Sequence, residues 1–311
     1  MRVHAASTPV PDDARGAAIA LGNFDGVHMG HQAVIASARA AAEALGAPVG
    51  VSVFEPHPRR VFQPDLPPFR LQTSAQRARA LVALGIDHLY EIAFSAELAH
   101  LSDEEFAHDV LQRRLGARHV SVGADFRFGR ARMGDAGALT RFGARMGFST
   151  DAVAPVSRGM EKLSSTAIRA AITDGDVGAA AMLLSRPWAI EGEVQRGFQR
   201  GRAIGVPTAN LNLRDYVRPK LGIYAVRIDI GDSIWRPGVA SVGVNPTVGA
   251  LPAPILEAHI FDFDGDLYGR MIEVQMIAFQ RAEAKFESME AMARQIETDS
   301  AQARALLSAY P

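Results

Sequence analysis

The sequence contains no cysteine, which excludes disulfides, thiolate metal sites and a cysteine nucleophile. Its 33 basic and 34 acidic residues give a formal net charge of −1, so no basic excess points to a nucleic-acid partner. No window approaches the roughly 20 apolar residues that a membrane span needs. The N-terminal MRVHAASTPVPDD has no apolar stretch long enough for a signal peptide, and we expect a cytoplasmic protein.

The first half of the 311-residue chain alternates strand-like and helix-like segments. The apolar run 17–21 ends in a glycine-rich loop, and a helical stripe of apolar residues follows it up to Gly46. This alternation predicts a doubly wound parallel sheet, a Rossmann-like α/β fold. Such sheets bind ligands at the carboxyl ends of their strands, where this loop would lie.

The second half instead contains short alternating runs separated by turn residues, at 222–230, 238–244, 255–261 and 271–279. Runs at this spacing predict a small antiparallel β-barrel, and a helix of about 288–308 would close the chain. We therefore predict two domains, covering residues 1–186 and 187–311.

The segment GNFDGVHMGH (22–31) is the first pattern that indicates chemistry. Glycines let the backbone approach a ligand, and the following helix directs free N–H groups and a positive dipole end towards it. His28 and His31 are three residues apart and can face one side of the first turn. The pattern favours an ATP-phosphate site for nucleotidyl transfer, although a tight turn alone would also use glycines. The chain has no Gly-x4-Gly-Lys-Ser/Thr, so it is not a P-loop NTPase.

Two further patterns offer polar groups to phosphates. SSTAIR (164–169) opens a predicted helix with three hydroxyl residues, either as a second anion site or as a simple N-cap. In GRAIGVPTANL (201–211), Thr208 and Asn210 offer hard oxygen ligands suited to Mg²⁺ bound with ATP. Glu257 could accept a hydroxyl proton, but alternation alone favours a solvent-facing strand residue.

Together these motifs resemble the bacterial bifunctional riboflavin kinase/FAD synthetase (FMN adenylyltransferase) family. GNFDGVHMGHQ, FEPHP, VGADFRFG and SSTAIR are similar to its adenylyltransferase module. GRAIGVPTANL, GIYAV, GVNPT, LEAHIFDFDGDLYG and RAEAKF are similar to its kinase module. The resemblance covers nearly the whole chain in the family's order.

The resemblance implies two Mg²⁺-dependent reactions with ATP as co-substrate: riboflavin is phosphorylated to FMN, and FMN is adenylylated to FAD with release of pyrophosphate. It implies that His28 and His31 stabilise the reacting phosphates and that Glu257 is the base for the ribityl 5′-hydroxyl. The other implied adenylyltransferase residues are Gly22, Asn23, Phe24, Asp25, Gly26, Ser164, Ser165, Thr166 and Arg169 for ATP, and Phe62, Asp125 and Phe128 for flavin. The implied kinase residues are Gly201, Arg202, Gly205, Pro207, Thr208 and Asn210 for ATP and Mg²⁺, with Thr208 and Asn210 as metal ligands, and Asn245, Arg281 and Phe286 for flavin.

The sequence departs from the family's pattern in three places. Ala167 stands where the family often has Arg, Asp125 stands where some relatives have Asn, and segment 194–202 is unusually basic. A nucleotidyltransferase of another specificity with a non-catalytic β-domain is one alternative, which GRAIGVPTANL disfavours. A flavin carrier without catalysis is another, which the two phosphate-site patterns disfavour. We expect small-molecule partners only, no nucleic acid or membrane, and a monomer or weak homo-oligomer.

Overall fold

The computed structural model describes residues 1–6, 8–158, 161–196, 206–244 and 254–310. It contains two compact units. The first comprises Met1–Leu66 and Ser74–Ser164, and the second comprises Pro67–Thr73 and Ser165–Pro311. Among the described residues, no helix is both long enough and apolar enough to cross a membrane.

The first unit is built on a six-stranded sheet whose neighbouring strands are all parallel. Its strands, in the order β1-β4-β3-β2-β5-β8, are β1 (Arg2–His4), β4 (His88–Ala93), β3 (Val49–Glu55), β2 (Ala18–Leu21), β5 (His119–Gly123) and β8 (Ser149–Val153). Two short hairpins pair β6 (Arg127–Phe128) with β7 (Gly134–Asp135) and β9 (Ser157–Arg158) with β10 (Glu161–Lys162). The parallel sheet confirms the predicted fold class of this half.

Helices cover both faces of this sheet. They are α1 (Met29–Leu45), α2 (Pro58–Phe62), α3 (Ser74–Ala83), α4 (Ala96–His100), α5 (Asp103–Glu105), a π-helix (Phe106–Arg114) and α6 (Ala136–Met146), with 3₁₀ turns at Asp12–Ala14 and Arg130–Arg132. Alternate residues of a strand point to opposite faces. Accordingly Ala20 packs in one core with Ile35 of α1, while Ile19 and Leu21 pack in the other with Leu111 of the π-helix. The sheet is therefore doubly wound, as the sequence predicts.

The second unit is a six-stranded antiparallel barrel with flanking helices. Its strands, in the order β11-β16-β13-β14-β15-β12, are β11 (Trp188–Glu193), β16 (Met271–Arg281), β13 (Gly222–Asp229), β14 (Trp235–Val244), β15 (Pro254–Ile260) and β12 (Ala209–Asn212). The backbone N–H of Gln195 donates to the carbonyl oxygen of Asn210 (2.9 Å), so the two end strands meet and the barrel nearly closes. The helices are α7 (Ser165–Asp174), α8 (Val177–Leu184) and α9 (Met289–Ser308).

The terminal helix α9 packs its apolar face on the barrel. Ala303 and Leu307 lie in one buried cluster with Ala225 of β13 and Val239 of β14. The antiparallel barrel and the closing helix confirm the predicted fold of the C-terminal half.

One segment from the first half of the sequence, Pro67–Thr73, belongs to the second unit. The indole N–H of Trp188 donates to the carbonyl oxygen of Leu71 (2.7 Å), and the Thr73 hydroxyl donates to Glu191 Oε1 (2.7 Å). Arg70 forms a parallel bridge with Tyr216. The units defined by packing thus divide the chain differently from the predicted functional boundary after residue 186, which stays a prediction.

A buried histidine pair attaches the short edge strand β1 to the sheet. His4 and His88 are each 7 % exposed, and His4 Nε2 lies 3.1 Å from His88 Nδ1. The His4 ring also stacks on Tyr90, with centroids 5.1 Å apart. Burial lowers the pKa of His4 from 6.5, with smaller contributions from His88 and Arg2, and burial likewise lowers the pKa of His88.

We expect acid to destabilise this edge of the sheet. Below about pH 6.5 the unfolded histidines bind protons that the buried ones do not, so stability is fully present above that pH and falls below it. His4→Gln should make the fall shallower, because the amide can still hydrogen-bond to His88 but does not titrate. Thermal unfolding between about pH 5.5 and 7.5 measures this effect. The exposed His100→Gln is the matched control, and an equal change in both variants would contradict the prediction.

Candidate active sites

The loop between β2 and α1 lies at the topological switch point of the parallel sheet. After β2 the chain adds β3 and β4 on one side, whereas β5 and β8 lie on the other. Ligands bind at such points, beyond the carboxyl ends of the strands. Phe24 and Val27 adopt positive φ angles of 50° and 44°, which are strained for side chains of this size. Strain of this kind concentrates at functional sites.

His28 caps helix α1 with its imidazole. Its Nδ1 accepts a hydrogen bond from the backbone N–H of His31 at 3.3 Å. In the neutral ring the proton then lies on Nε2, which can donate to a ligand. The two imidazoles are stacked, with centroids 3.6 Å apart and planes 18° apart. The histidines therefore present two rings side by side at a helix N-terminus, which is a favourable position for an anion.

Gly30 lets the His28 ring lie close to the backbone. A Cβ at this position would lie 3.1 Å from His28 Cε1 and 3.4 Å from the carbonyl oxygen of Leu163. The residue that precedes SSTAIR thus lies next to the histidine loop, within the same unit. Ser164 ends that unit, whereas Ser165, Thr166 and Arg169 belong to α7 in the second one. Arg169 Nε donates to the carbonyl oxygen of Phe69 at 2.6 Å.

The remaining loop residues are well enclosed. Asp25 is 2 % exposed and Phe24 is 1 % exposed, with the Phe24 ring 5.0 Å from that of His31. Asn23 Oδ1 is shielded from solvent and has no hydrogen-bond partner in the described part of the chain. A buried acceptor of this kind requires a donor, and a bound nucleotide could supply one.

The predicted flavin residues Phe62 and Phe128 are joined by a row of aromatic rings. Phe62 is 66 % exposed, and Phe128 is buried at 5 %. Consecutive ring centroids from Phe62 to Phe128 are 5.5, 5.8, 6.1 and 5.5 Å apart, and the intervening rings are Phe94, Phe54 and Phe106. Asp125 is exposed in the turn that follows β5. The three intervening phenylalanines are not among the predicted flavin residues, although Phe54 opens the FEPHP motif.

His28→Ala should remove the cap of α1 and lower the free energy of unfolding of the first unit by about 1 kcal/mol. His28→Asn should retain most of that stability, because asparagine is a good N-cap residue. Urea unfolding followed by circular dichroism measures both variants. Equal losses in both would show that the ring does not stabilise the helix as a cap.

In the barrel, strand register brings the predicted kinase residues into one row. Asn210 of β12 lies opposite Glu257 of β15, which lies opposite Ser241 of β14. Ser241 lies opposite Ile223 of β13, which in turn lies opposite Arg281 of β16. Directly opposed residues share one face of a sheet, with Cβ atoms about 5 Å apart. Asn210 and Glu257 are therefore neighbours, although 47 positions separate them in the sequence.

A cavity of about 290 Å³ opens beside this row. Pro207, Thr208 and Asn210 line it, and these three are among the residues that the sequence predicts for an ATP site. Its further lining residues are Val194, Ala209, Ala258, Ile260, Phe263, Asp264, Gly265, Asp266, Leu267 and Tyr268. The run from Phe263 to Tyr268 belongs to the motif LEAHIFDFDGDLYG, and the sequence predicts no role for its residues. Its repeated acidic and aromatic residues next to a β-strand were the available signal.

Local hydrogen bonds orient the ligand groups of this cavity. Asn210 Nδ2 donates to the carbonyl oxygen of Thr208 at 3.3 Å, and its Oδ1 is a hard oxygen of the kind that Mg²⁺ prefers. His259 Nδ1 lies 2.8 Å from the carbonyl oxygen of Pro207 and holds the same turn. The predicted residues Gly201, Arg202, Gly205 and Asn245 lie outside the described residues.

Arg281 fastens β16 to helix α9. Its Nε and Nη2 donate to the two carboxylate oxygens of Asp299 at 2.9 and 2.6 Å, and Asp299 is 2 % exposed. The guanidinium carbon also lies 5.9 Å from the centroid of the Phe286 ring. The two predicted flavin residues are therefore in contact, with Arg281 already engaged in a bidentate ion pair.

Two family models match the chain. The FAD synthetase model covers residues 10–167, which include the histidine loop, and the riboflavin kinase model covers 184–307, which include the barrel row. A relative from Pseudomonas fluorescens, named bifunctional riboflavin kinase/FMN adenylyltransferase, is 42% identical over 94% of this chain and 93% of its own length. The chain belongs to this bifunctional family.

A second relative carries the same family name, and one solved structure has a similar fold. An Escherichia coli K12 member of the bifunctional riboflavin kinase/FMN adenylyltransferase family is 38% identical over 93% of this chain and 92% of its own. A Streptococcus pneumoniae crystal structure described as a macrolide-efflux protein has a TM-score of 0.84 and 33% identity. The aligned region covers 93% of this chain and 94% of the chain in that structure. The family resemblance found in the sequence motifs is confirmed.

Proposed function

We propose that the chain phosphorylates riboflavin with ATP to give FMN, and then transfers AMP from a second ATP to FMN, giving FAD and pyrophosphate. The proposal rests on the placement of Glu257 directly opposite Asn210, which lines the cavity. Both residues lie in the part of the chain that the riboflavin kinase model matches. The stacked His28 and His31 rings within the FAD synthetase match support the second reaction.

In the kinase reaction, the Glu257 carboxylate accepts the proton of the ribityl 5′-hydroxyl. The oxygen then bonds to the γ-phosphorus of ATP as the bond between that phosphorus and the β,γ-bridging oxygen breaks, and ADP leaves. The cavity lined by Thr208 and Asn210 holds the ATP. Gly201, Arg202 and Gly205 are proposed for the same ATP from the family motif. In phosphoryl transfer the protein accelerates the reaction mainly by positioning the two reactants, because it supplies little covalent chemistry itself.

Thr208 and Asn210 suit Mg²⁺ bound with ATP. Donation from Asn210 Nδ2 to the Thr208 carbonyl leaves the amide oxygen for the metal, and Mg²⁺ typically takes only one or two protein ligands together with phosphates. When bound, Mg²⁺ neutralises charge on the transferring phosphates. The protein's part is to place these two oxygens beside the base.

In the adenylyl transfer, a phosphate oxygen of FMN bonds to the α-phosphorus of ATP, and the bond to the α,β-bridging oxygen breaks. His28 and His31 donate hydrogen bonds to the oxygens that gain charge as pyrophosphate leaves. Ser164, Ser165, Thr166 and Arg169 are proposed for the β- and γ-phosphates. Phe62, Asp125 and Phe128 are proposed for the flavin, since aromatic rings offer stacking surfaces.

Substitution of Glu257 should affect the first reaction alone. In a mixture of riboflavin and Mg·ATP, we expect Glu257→Gln to slow FMN formation by about 100-fold or more, because the base is lost. FAD formation from added FMN should be unchanged. Chromatography of FMN, FAD, ADP and pyrophosphate measures both steps, and the exposed Glu193→Gln is the matched control.

Substitution of His31 should have the converse effect. His31→Ala should slow FAD formation by about 100-fold or more while FMN accumulates, because a phosphate donor is removed. His108→Ala, an exposed histidine of the same unit, is the control. If either His31→Ala or Glu257→Gln abolished both activities in a folded chain, two independent sites would be the wrong description. Absence of flavin phosphorylation by the unmodified chain would overturn the kinase assignment.

A further inference from the structure

The side chain of Gln280, on β16, has two buried polar atoms that no contact in the described part of the chain satisfies. Both Nε2 and Oε1 of its side chain are shielded from solvent, and neither has a hydrogen-bond partner in the described part of the chain. A buried amide without partners is costly, because it loses its hydrogen bonds to water and gains none in return. Such groups are rare in folded proteins and call for an explanation.

The backbone around Gln280 forms a β-bulge. Ile223 and Tyr224 are consecutive on β13, but their partners on β16 are Arg281 and Phe279, so Gln280 is the extra residue. The bulge packs tightly against Gly222, whose φ is +149°. A Cβ there would overlap the carbonyl oxygen of Arg281 and lie 2.7 Å from Phe279 Cε2. Bulges commonly redirect a side chain beside a functional site.

The position of Gln280 relative to Glu257 matches the length of the substrate. The row from Glu257 to Arg281 crosses three gaps between strands, or about 14 Å along the sheet at 4.7–4.9 Å a gap. Extended riboflavin runs from its 5′-hydroxyl through a five-carbon chain, the central ring and the pyrimidine ring to its pyrimidine edge, and it spans a comparable distance once a hydrogen bond at each end is included. With the hydroxyl at Glu257, that edge reaches the end of the row where Gln280 lies.

We propose that the Gln280 amide binds the pyrimidine edge of the flavin ring in the kinase site. Nε2–H donates to the C4 carbonyl oxygen and Oε1 accepts from N3–H, so both buried atoms gain a partner. This inference rests on the proposed kinase function. In this proposal Gln280 makes the site selective for flavins with a free N3–H. A site that hydrogen-bonds to a group discriminates against analogues that lack that group.

Removal of the amide should weaken flavin binding and leave the chemistry intact. Gln280→Leu and Gln280→Met should each raise the KM for riboflavin in FMN formation by about 10- to 100-fold, as expected for two lost hydrogen bonds. The kcat should change less than about threefold, because Glu257 and the ATP cavity are untouched. Gln275→Leu, on the same strand, is the matched control.

A flavin analogue tests the contact from the other side. The unmodified chain should use 3-methylriboflavin, which has no N3–H, with a KM raised by a similar factor. The Gln280 variants should discriminate little between the two flavins. In a chain labelled with ¹⁵N-glutamine, the side-chain amide signal of Gln280 should shift on addition of riboflavin and much less on addition of 3-methylriboflavin.

Two results would overturn the inference. One is an unchanged riboflavin KM in both Gln280 variants. The other, which applies even if neither variant folds, is a Gln280 amide signal that does not distinguish the two flavins. Failure of the proposed function is distinct, because the unmodified chain and Gln275→Leu would then form no FMN at all.

Discussion

Backbone hydrogen bonding between neighbouring strands determines where the candidate functional side chains lie. In the first unit, parallel pairing aligns β2 between β3 and β5, so the histidine loop emerges at the point where the strand order reverses. In the second unit, antiparallel pairing sets Asn210 against Glu257 and extends the row to Arg281. A slip of one residue in β15 would turn Glu257 to the opposite face. Strand pairing therefore sets the positions of both candidate sites, and side-chain contacts act only after that pairing is correct.

Several groups serve the fold and the proposed chemistry together. The His28 ring caps α1 through Nδ1, and the same hydrogen bond puts the proton of the neutral ring on Nε2, where a phosphate could accept it. Asn210 holds the Thr208 turn through its amide nitrogen, and its amide oxygen is the atom proposed to bind Mg²⁺. Arg281 joins the bulged strand to Asp299 of the terminal helix. The same atoms thus stabilise the local fold and preorganise the proposed sites.

Patterns in the sequence were sufficient for the two folds and for the family resemblance, because periodicity, glycines and helix caps act over a few residues, whereas the roles of the motif residues stay predictions. They were insufficient to place Glu257 beside Asn210: alternation puts Glu257 on the less buried face of β15, between buried Leu256 and Ala258, but only the pairing of β15 with β12 sets it opposite Asn210. Register is a long-range property that no local pattern contains. The same reason explains why the bulge at Gln280 and the aromatic row through Phe94 were not predicted.

The placement of Pro67–Thr73 in the second unit limits how this gene could be divided. A fragment that starts at residue 187 would retain Trp188 but lose the Leu71 carbonyl that accepts its indole N–H, and Glu191 would lose the Thr73 hydroxyl. A single cut in the chain therefore cannot separate the two units as they pack here, because the second unit is drawn from two stretches of sequence. A rearrangement of the two halves that preserved these contacts would have to carry the seven residues Pro67–Thr73 together with the barrel.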